Sequence, residues 1–369
     1  MSQSLPRPTL RGNHRVWQVV EAEGELAALG RLKTGRTRPG VHRFDPRCFV
    51  NEEDVLIELA LLGMRRIAPV YRLVGADDEL RVHGYIEGQP LSAIRPPGTA
   101  LTGSELGQLV DLFGKLATIR PSAFALVHRC PPVLRPRGSR QFLQTLIRFT
   151  RRRVYAVHRP LMRDLFTALR IGPTVLSATG PLAREAAKLT DRPFCLLHGD
   201  LHRDNLIVAE SDGMLWTIDW ELALIGDPLY DLATHLHLMR YPPKQEHALL
   251  LRWARTMDAA LPGSAAALAR DLPRYLAYKR VQSVFTDVIR QAYVVQATPP
   301  AQLAEQLPRT VEMVHGVMRR AARMLGLGRV PSPRAIEAAY ATWYVNAPPP
   351  PSVATADQAR TAATRPGGP

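Results

Sequence analysis

Two carboxylates and one amide define the chemistry open to this sequence. Asp200 closes the run Cys195-Leu-Leu-His-Gly-Asp200, Asn205 follows five residues later, and Asp219 ends Leu215-Trp-Thr-Ile-Asp219 before Trp220 and Glu221. A carboxylate within hydrogen-bond reach of an alcohol aims it, and stabilises its loss of a proton as it attacks phosphorus; Asp200 suits that task. Magnesium takes hard oxygen ligands, usually only one or two from protein, and fills its remaining positions with phosphate and water. The amide oxygen of Asn205 and the carboxylate of Asp219 meet that need, and the ion would offset charge developing in transfer. Each residue alone also suits an ordinary turn. The set, at these intervals, points to phosphoryl transfer.

Such groups need elements to position them. An apolar run leads to His198, a polar loop continues to Asn205, and a β-rich segment returns the chain to Asp219. Upstream, residues 14–22 have strand propensity, Glu23-Gly24 offers a turn, 26–32 is a second strand, and the Gly/Pro/Arg-rich stretch 35–46 reads as a loop. The apolar spacing of Val55, Leu56, Leu59 and Leu62 predicts a helix over 51–64, capped by Asn51 with acidic residues in its first turn. Strands over 70–75 and 79–86 pair across residues 76–78. Beyond Ser104 the periodicity is helical, over 104–118, 139–169, 181–189, 230–239, 245–259, 264–294 and 302–325. The expected class is α+β. Residues 1–83 form a small β-rich lobe with one main helix, 84–91 a hinge, and 92–345 a mostly helical lobe. The stretch 346–369, with four consecutive prolines, has too little apolar content to pack and is expected to be disordered.

The strings HGDLHRDN, IDWE and Gly226-Asp-Pro-Leu-Tyr-Asp-Leu-Ala233 together resemble the aminoglycoside phosphotransferase and choline kinase-like family. Its members have a bilobal protein-kinase-like fold and phosphorylate small molecules. Against the protein-kinase pattern, Gly199 replaces the Arg of HRD, and Trp-Glu replaces Phe-Gly after Asp219. The resemblance implies that His198 supports the loop backbone and that Asp231 braces it by accepting backbone hydrogen bonds. Asp227 would cap the next helix. Leu10–Trp17 is similar to the family's abbreviated phosphate loop, placing Gly12 and Asn13 at the nucleotide. Lys33, with Arg31 as alternative, would hold the α- and β-phosphates. Glu53, with Glu58 as runner-up, would pair with that lysine. The segment 84–91 resembles the interlobe hinge, so the backbone at His83, Tyr85 and Ile86 would bond adenine, or guanine if GTP is the donor. The long stretch 35–46 departs from the family pattern. His202, Arg203, Asp204 and Glu221, with Arg280, Gln282, Asp287 and Arg290 on the 275–290 helix, are candidates for acceptor contact; a polar loop or a solvated helix face would also account for them. The resemblance spans roughly residues 10–325 and is specific over 195–233.

Composition narrows the choice. Hydrophobic residues make up 46% and charged residues 22%, an ordinary globular balance. The start of the chain lacks the apolar core of a signal peptide, and no run approaches the roughly 20 apolar residues of a membrane span, so a cytoplasmic protein is expected. Three cysteines, far apart and odd in number, predict reduced thiols and no structural zinc. A net charge of +15 favours anions and disfavours polycations. The arginines at 148 and 151–153 need no role beyond a solvated helix face. The expected activity is therefore an ATP-dependent kinase using Mg²⁺ to phosphorylate a hydroxyl of a small, neutral or anionic molecule, such as an antibiotic or other natural product. The alternatives are a catalytically impaired nucleotide-binding module and, on charge alone, a nucleic-acid-binding protein. A protein kinase is disfavoured because GDPLYDLA arrives within a dozen residues of Asp219, leaving no activation segment ending in an APE-like element. Acceptor identity and oligomeric state are left open.

Overall fold

The computed structural model describes residues 9–12, 15–38, 42–74, 79–126 and 138–347. The strands β1 (Thr9–Arg11), β2 (Arg15–Glu21), β3 (Arg31–Thr37), β4 (Val70–Val74) and β5 (Glu79–Gly84) form one antiparallel sheet in the order β1-β2-β3-β5-β4. β2 and β3 pair over their full lengths, with Trp17 opposite Gly35. A Cβ at Gly35 would lie 2.7 Å from the Trp17 ring, so the glycine lets the indole lie across the neighbouring strand. That packing carries β3 to Thr37, so residues 35–37 are strand and not the expected loop. A 3₁₀ turn over Gly24–Leu29 takes up the first part of the strand expected at 26–32. Helix α1 (Glu52–Leu61) begins where Asn51 accepts the Asp54 N–H at 2.8 Å, and it buries Val55, Leu56 and Leu59. The turn expected at 76–78 lies outside the described residues.

Two smaller sheets carry the loop that follows His198. Strands β6 (Gly88–Pro90), β8 (Leu206–Ala209) and β9 (Leu215–Thr217) pair antiparallel in the order β6-β8-β9, and β7 (Cys195–Leu197) pairs with β10 (Leu224–Gly226). The helices after α1 are α2 (Leu91–Ile94), α3 (Gly103–Thr118), α4 (Ser139–Phe149), α5 (Ala156–Ala168), α6 (Pro181–Ala186), α7 (Pro228–Met239), α8 (Pro243–Ala260), α9 (Leu268–Gln296), α10 (Leu303–Leu325) and α11 (Pro333–Asn346). The described residues fall into two compact units, one drawn from 1–37, 45–145 and 185–276, the other from 38–44, 146–184 and 277–369.

The first unit contains all three sheets. Its helix α3 starts with a capping box, Thr102 and Glu105 each bonding the other's backbone N–H, and buries Leu106, Leu109 and Phe113. Phe113 meets the buried Trp253 of α8 edge-on, with ring centroids 6.4 Å apart. Asp227 caps α7 through the Leu229 N–H at 2.9 Å. Its second oxygen takes the fully buried Arg192 at 3.1 Å and the Tyr275 hydroxyl at 2.8 Å. Arg192 also pairs with Asp271, so the buried cation is matched by two carboxylates.

In the second unit, the single helix expected over 139–169 is interrupted. A π-helical turn over Thr150–Tyr155 separates α4 from α5, and α5 kinks at Met162 just after Pro160. Tyr155, Phe166 and Phe285 form an aromatic cluster with centroids 5.2–6.1 Å apart. Helix α11 was not anticipated from the sequence. Tyr340 and Trp343 bury its inner face and donate to the carbonyls of Val288 and Ala292 at 3.0 and 2.9 Å. Of the stretch expected to be disordered, Asn346 closes that helix, and residues from 348 onward lie outside the described set. Among the described residues, no helix is long and apolar enough to cross a membrane. Cys195 is a free, buried thiol, whereas Cys48 is wholly buried and disulfide-bonded, in contrast to the expected reduced thiols.

Candidate active site

The short strand β7 delivers His198, Gly199 and Asp200 from the core. Gly199 adopts φ +82°, and a Cβ there would sit 2.3 Å from the Leu222 carbonyl oxygen. No side chain fits, which is why glycine stands where protein kinases have arginine. Asp231, one turn into α7, receives this backbone: its two carboxylate oxygens accept the N–H groups of His198 at 3.0 Å and Gly199 at 2.8 Å. The His198 ring is fully buried beside Trp220, with centroids 4.5 Å apart. Its Nε2 lies 3.1 Å from the Ile218 carbonyl and its Nδ1 accepts the Asp200 N–H at 3.3 Å, so Nε2 carries the proton. Burial pushes its pKa down to about 4. The ring joins the Asp200 segment to the Asp219 segment and stays neutral.

Asn205 completes the loop. Its Nδ2 donates to the Asp200 carbonyl at 2.9 Å and approaches Asp200 Oδ2 at 3.4 Å, turning the amide oxygen away from that contact. The β8–β9 hairpin returns the chain, and the Ile218 N–H donates to the Asn205 carbonyl at 3.1 Å. Asp219 follows in the left-handed region, φ 62° and ψ 60°. Its carboxyl pKa is raised well above the ordinary range, first by burial and then by the nearby charges of Glu52, Glu221 and Asp200. A buried carboxylate crowded by three others suits a cation. Among the described residues no three His, Cys, Asp or Glu side chains converge on a metal position. One carboxylate and one amide oxygen are below that count, and they match magnesium, which leaves its other positions to phosphate and water.

Asn205 and Asp219 line a cavity of about 470 Å³ shared with Gly12, Arg15, Trp17, Lys33, Glu52, Tyr85, Ile86 and Glu221. Lys33, on β3, lies under the Trp17 ring with Nζ 4.4 Å from its centroid. Burial lowers its pKa, while Glu52 and Asp219 act in the opposite sense. Glu53, expected as the lysine's partner, is engaged elsewhere. It binds Arg15 at 2.5 Å and His83 at 3.1 Å. Burial alone would raise the Glu53 carboxyl, but these bonds hold it well below the usual range. On α1, the carboxylate whose field reaches Lys33 is Glu53's neighbour Glu52, which also accepts the Trp220 N–H at 3.0 Å.

Of the expected hinge contacts, Tyr85 and Ile86 line the cavity. The Tyr85 N–H is committed to the Arg31 carbonyl at 2.9 Å, and its ring lies beneath the Arg31 guanidinium at 4.4 Å. His83 is buried against Glu53 and the edge of Trp17. Gly12 lines the cavity, and Asn13 lies outside the described residues.

The acceptor candidates separate. His202 reaches Asp200 Oδ2 at 3.4 Å and its Nδ1 accepts the Asp204 N–H at 3.3 Å. Burial works to lower its pKa but is outweighed by Asp200, Asp204 and Asp219, so the net shift is upward. Asp204 and Glu221 line the cavity. Arg203 does not face a ligand. It is almost wholly buried and donates to the carbonyls of Arg95, Thr99 and Met239. Those three oxygens need a donor more than the loop needs an exposed charge. Arg280, Asp287 and Arg290 belong to the second unit, where Arg290 pairs with Asp287 at 3.0 Å and Arg280 is exposed. Sequence reasoning missed Arg15, Trp17, Glu52 and Arg47, whose Nη1 and Nη2 donate to Glu221 Oε2 and Oε1 at 2.5 and 2.6 Å. For Trp17 the signal was the paired Gly35; for Glu52 it was its place in the first turn of α1.

A sequence model described as the phosphotransferase enzyme family APH matches residues 13–268, more than half of the chain. The chain belongs to the APH phosphotransferase family. A solved structure from Ralstonia eutropha JMP134, provisionally assigned as an aminoglycoside phosphotransferase, aligns over 92% of this chain and 94% of its own with 15% identity and a TM-score of 0.52. The choline kinase LicA of Streptococcus pneumoniae aligns over 87% of this chain and 94% of its own, with 17% identity and a TM-score of 0.49. A 56-residue stretch is 41% identical to acyl-CoA dehydrogenase family member 11 of Mus musculus, spanning 15% of this chain and 7% of that protein. This APH phosphotransferase thus has the protein-kinase-like α+β fold expected from its sequence, and its reaction class is phosphoryl transfer to an alcohol group.

Proposed function

We propose that this chain transfers the γ-phosphate of ATP to a hydroxyl of a small molecule, with Mg²⁺ held by Asn205 and Asp219. The observation that carries this reading is the joining of three functions at one place. Asn205, Asp219 and Lys33 face a single cavity, and Asn205 is bonded to Asp200. Held there by Asn205 and Asp219, Mg²⁺ would supply positive charge that offsets the charge developing in transfer.

The chain's own residues do the rest. Lys33 and Arg15 supply positive charge to the phosphates, and Trp17 packs against both, with Arg15 5.4 Å from its centroid. Tyr85 and Ile86 offer an apolar wall to the base and, the Tyr85 N–H being committed to Arg31, the backbone of Ile86 is left to bond adenine, or guanine if GTP is the donor. Asp200 accepts the hydroxyl proton as the alcohol oxygen forms its bond to γ-phosphorus; the bond from γ-phosphorus to the bridging oxygen breaks, and the nucleoside diphosphate leaves. His202, hydrogen-bonded to Asp200, orients that carboxylate. The interlobe hinge in this reading is 84–91. The +15 charge favours a neutral or anionic acceptor over a polycation.

The test is a panel of antibiotics and metabolites incubated with Mg-ATP and scored by mass for an added phosphate. Phosphorylation of at least one compound, lost in Asp200→Asn, supports the reading. A panel that is phosphorylated equally by wild type and Asp200→Asn would refute the assignment of Asp200.

A further inference from the structure

The net charge of +15 is not spread evenly along the chain. The unit drawn from 1–37, 45–145 and 185–276 carries 27 Lys and Arg against 27 Asp and Glu, whereas the unit drawn from 38–44, 146–184 and 277–369 carries 21 against 6. A chain-wide preference for arginine would load both units alike. The second unit differs chiefly in its missing acids, which leaves most of its cations unmatched. They concentrate on one stretch. From 148 to 163, the end of α4, the π-helical turn and α5 bear Arg148, Arg151, Arg152, Arg153, Arg159 and Arg163, and the first acid is Asp164. All six arginines are exposed, and among the described residues none of their side chains forms an ion pair or a hydrogen bond. The opposite side of the stretch is anchored, with Thr150, Val154, Tyr155 and Met162 buried, so the arginines cannot turn inward.

The outer face of α5 also carries apolar groups. Val157 and Leu161, one helical turn apart, are 61% and 38% exposed. Arg159 and Arg163 form a second row one turn apart, and the exposed Ala156 and Pro160 lie between the two rows. Between 148 and 163 no aromatic ring is exposed on which a base could stack. Unpaired guanidinium groups beside an aliphatic row match the boundary of an anionic bilayer, where headgroup phosphates meet acyl chains. Nucleic acid offers phosphates to the arginines but no partner to the aliphatic row. We propose that the outer face of residues 148–163 docks this protein on anionic phospholipid surfaces, the arginines on the headgroups and the Val157–Leu161 row at the acyl boundary. The docking is peripheral and independent of the roles assigned to Asp200, Asn205 and Asp219.

The test is co-sedimentation of the full-length protein with vesicles of phosphatidylcholine, alone or with about a third phosphatidylserine. Wild type should bind the anionic vesicles at least about tenfold more tightly, and roughly 0.5 M salt should remove the preference. Replacing Arg151, Arg152, Arg159 and Arg163 together by Gln should weaken that binding at least about tenfold. Replacing four exposed arginines elsewhere in the unit, Arg309, Arg319, Arg323 and Arg329, should leave it within about threefold. Val157→Ser with Leu161→Ser keeps every charge and should weaken binding about tenfold. All of these positions are exposed, and each variant is accepted only with a wild-type urea unfolding midpoint. Wild type that binds both vesicle types equally overturns the proposal without recourse to any variant. So does equal weakening by the two arginine sets, which would make net charge the whole cause. Vesicle binding indifferent to Val157→Ser with Leu161→Ser, or tighter binding to a duplex of about 30 base pairs, would assign the face to nucleic acid and overturn the lipid docking.

Discussion

Asp231 accepts the Gly199 N–H at 2.8 Å, and through the same carboxylate the His198 N–H at 3.0 Å, so a side chain from α7 fixes the backbone that presents Asp200. Asn at this position has one acceptor oxygen in place of two, leaving a buried N–H unpaired at a cost of about 1–3 kcal/mol. Asp231→Asn should therefore lower stability by that amount in urea unfolding and reduce turnover at least about tenfold, since a 1 Å misplacement can cost more. Gly199→Ala should do the same by a different route, forcing a Cβ against the Leu222 carbonyl. Variants with wild-type unfolding midpoints would show that the loop does not depend on this brace.

Asp219 should display a trade between function and stability. Its raised pKa means that the ionised form is disfavoured in the metal-free fold, by burial and by Glu52, Glu221 and Asp200. Asn keeps the shape, tolerates the left-handed backbone and carries no charge. Asp219→Asn is expected to stabilise the metal-free protein by about 0.5–2 kcal/mol at neutral pH while abolishing transfer. A destabilised, metal-free Asp219→Asn protein would contradict this account of the site's electrostatics.

His235 supplies a pH signature. Its ring is fully buried between the Leu201 carbonyl and the Tyr241 hydroxyl, at 2.9 and 2.8 Å, and burial pushes its pKa down to about 4. The unfolded chain takes up a proton on this residue below about pH 6.5, and the fold refuses it until about pH 4. Its contribution is therefore complete above pH ~6.5 and is lost as pH falls through that window. Asp219 works in the opposite sense there, so the clean observable is a difference. The stability gap between wild type and His235→Gln should narrow by up to about 1.4 kcal/mol per unit as pH drops from 6.5. A gap that stays constant across the window would mean that His235 is not held neutral.

How much of this was legible in the sequence depends on how local each contact is. Asp200, Asn205, Asp219, His198 and Asp231 all lie within one stretch, where loop length fixes which groups can meet; the spacing of Asp200, Asn205 and Asp219 indicated a common site, and the family resemblance added His198 and Asp231. Glu52 and Glu53 are adjacent on a helix, and one residue turns the side chain by about 100°. That rotation sends Glu53 to Arg15 and His83 and leaves Glu52 facing Lys33. Arg203 looked like a loop cation, but the carbonyls that bury it come from Arg95 and Thr99, a hundred residues upstream. Arg47 stands beside a Pro/Gly-rich segment with no periodic pattern, and only the tertiary fold brings it to Glu221. Helix α11 did carry a signal, since Ile336, Ala339, Tyr340 and Trp343 follow helical spacing; the proline-rich residues just beyond obscured it.

The most direct test of the account is steady-state turnover of Asp200→Asn on whichever panel compound wild type phosphorylates, with Mg-ATP varied. Asp200 is assigned to the acceptor hydroxyl, whereas the nucleotide is assigned to the cavity formed by Lys33, Asn205 and Asp219. The variant should therefore lose about 10²–10⁴ in kcat while its KM for Mg-ATP stays within about threefold of wild type. Near-normal kcat would contradict the central claim that this carboxylate directs the transfer.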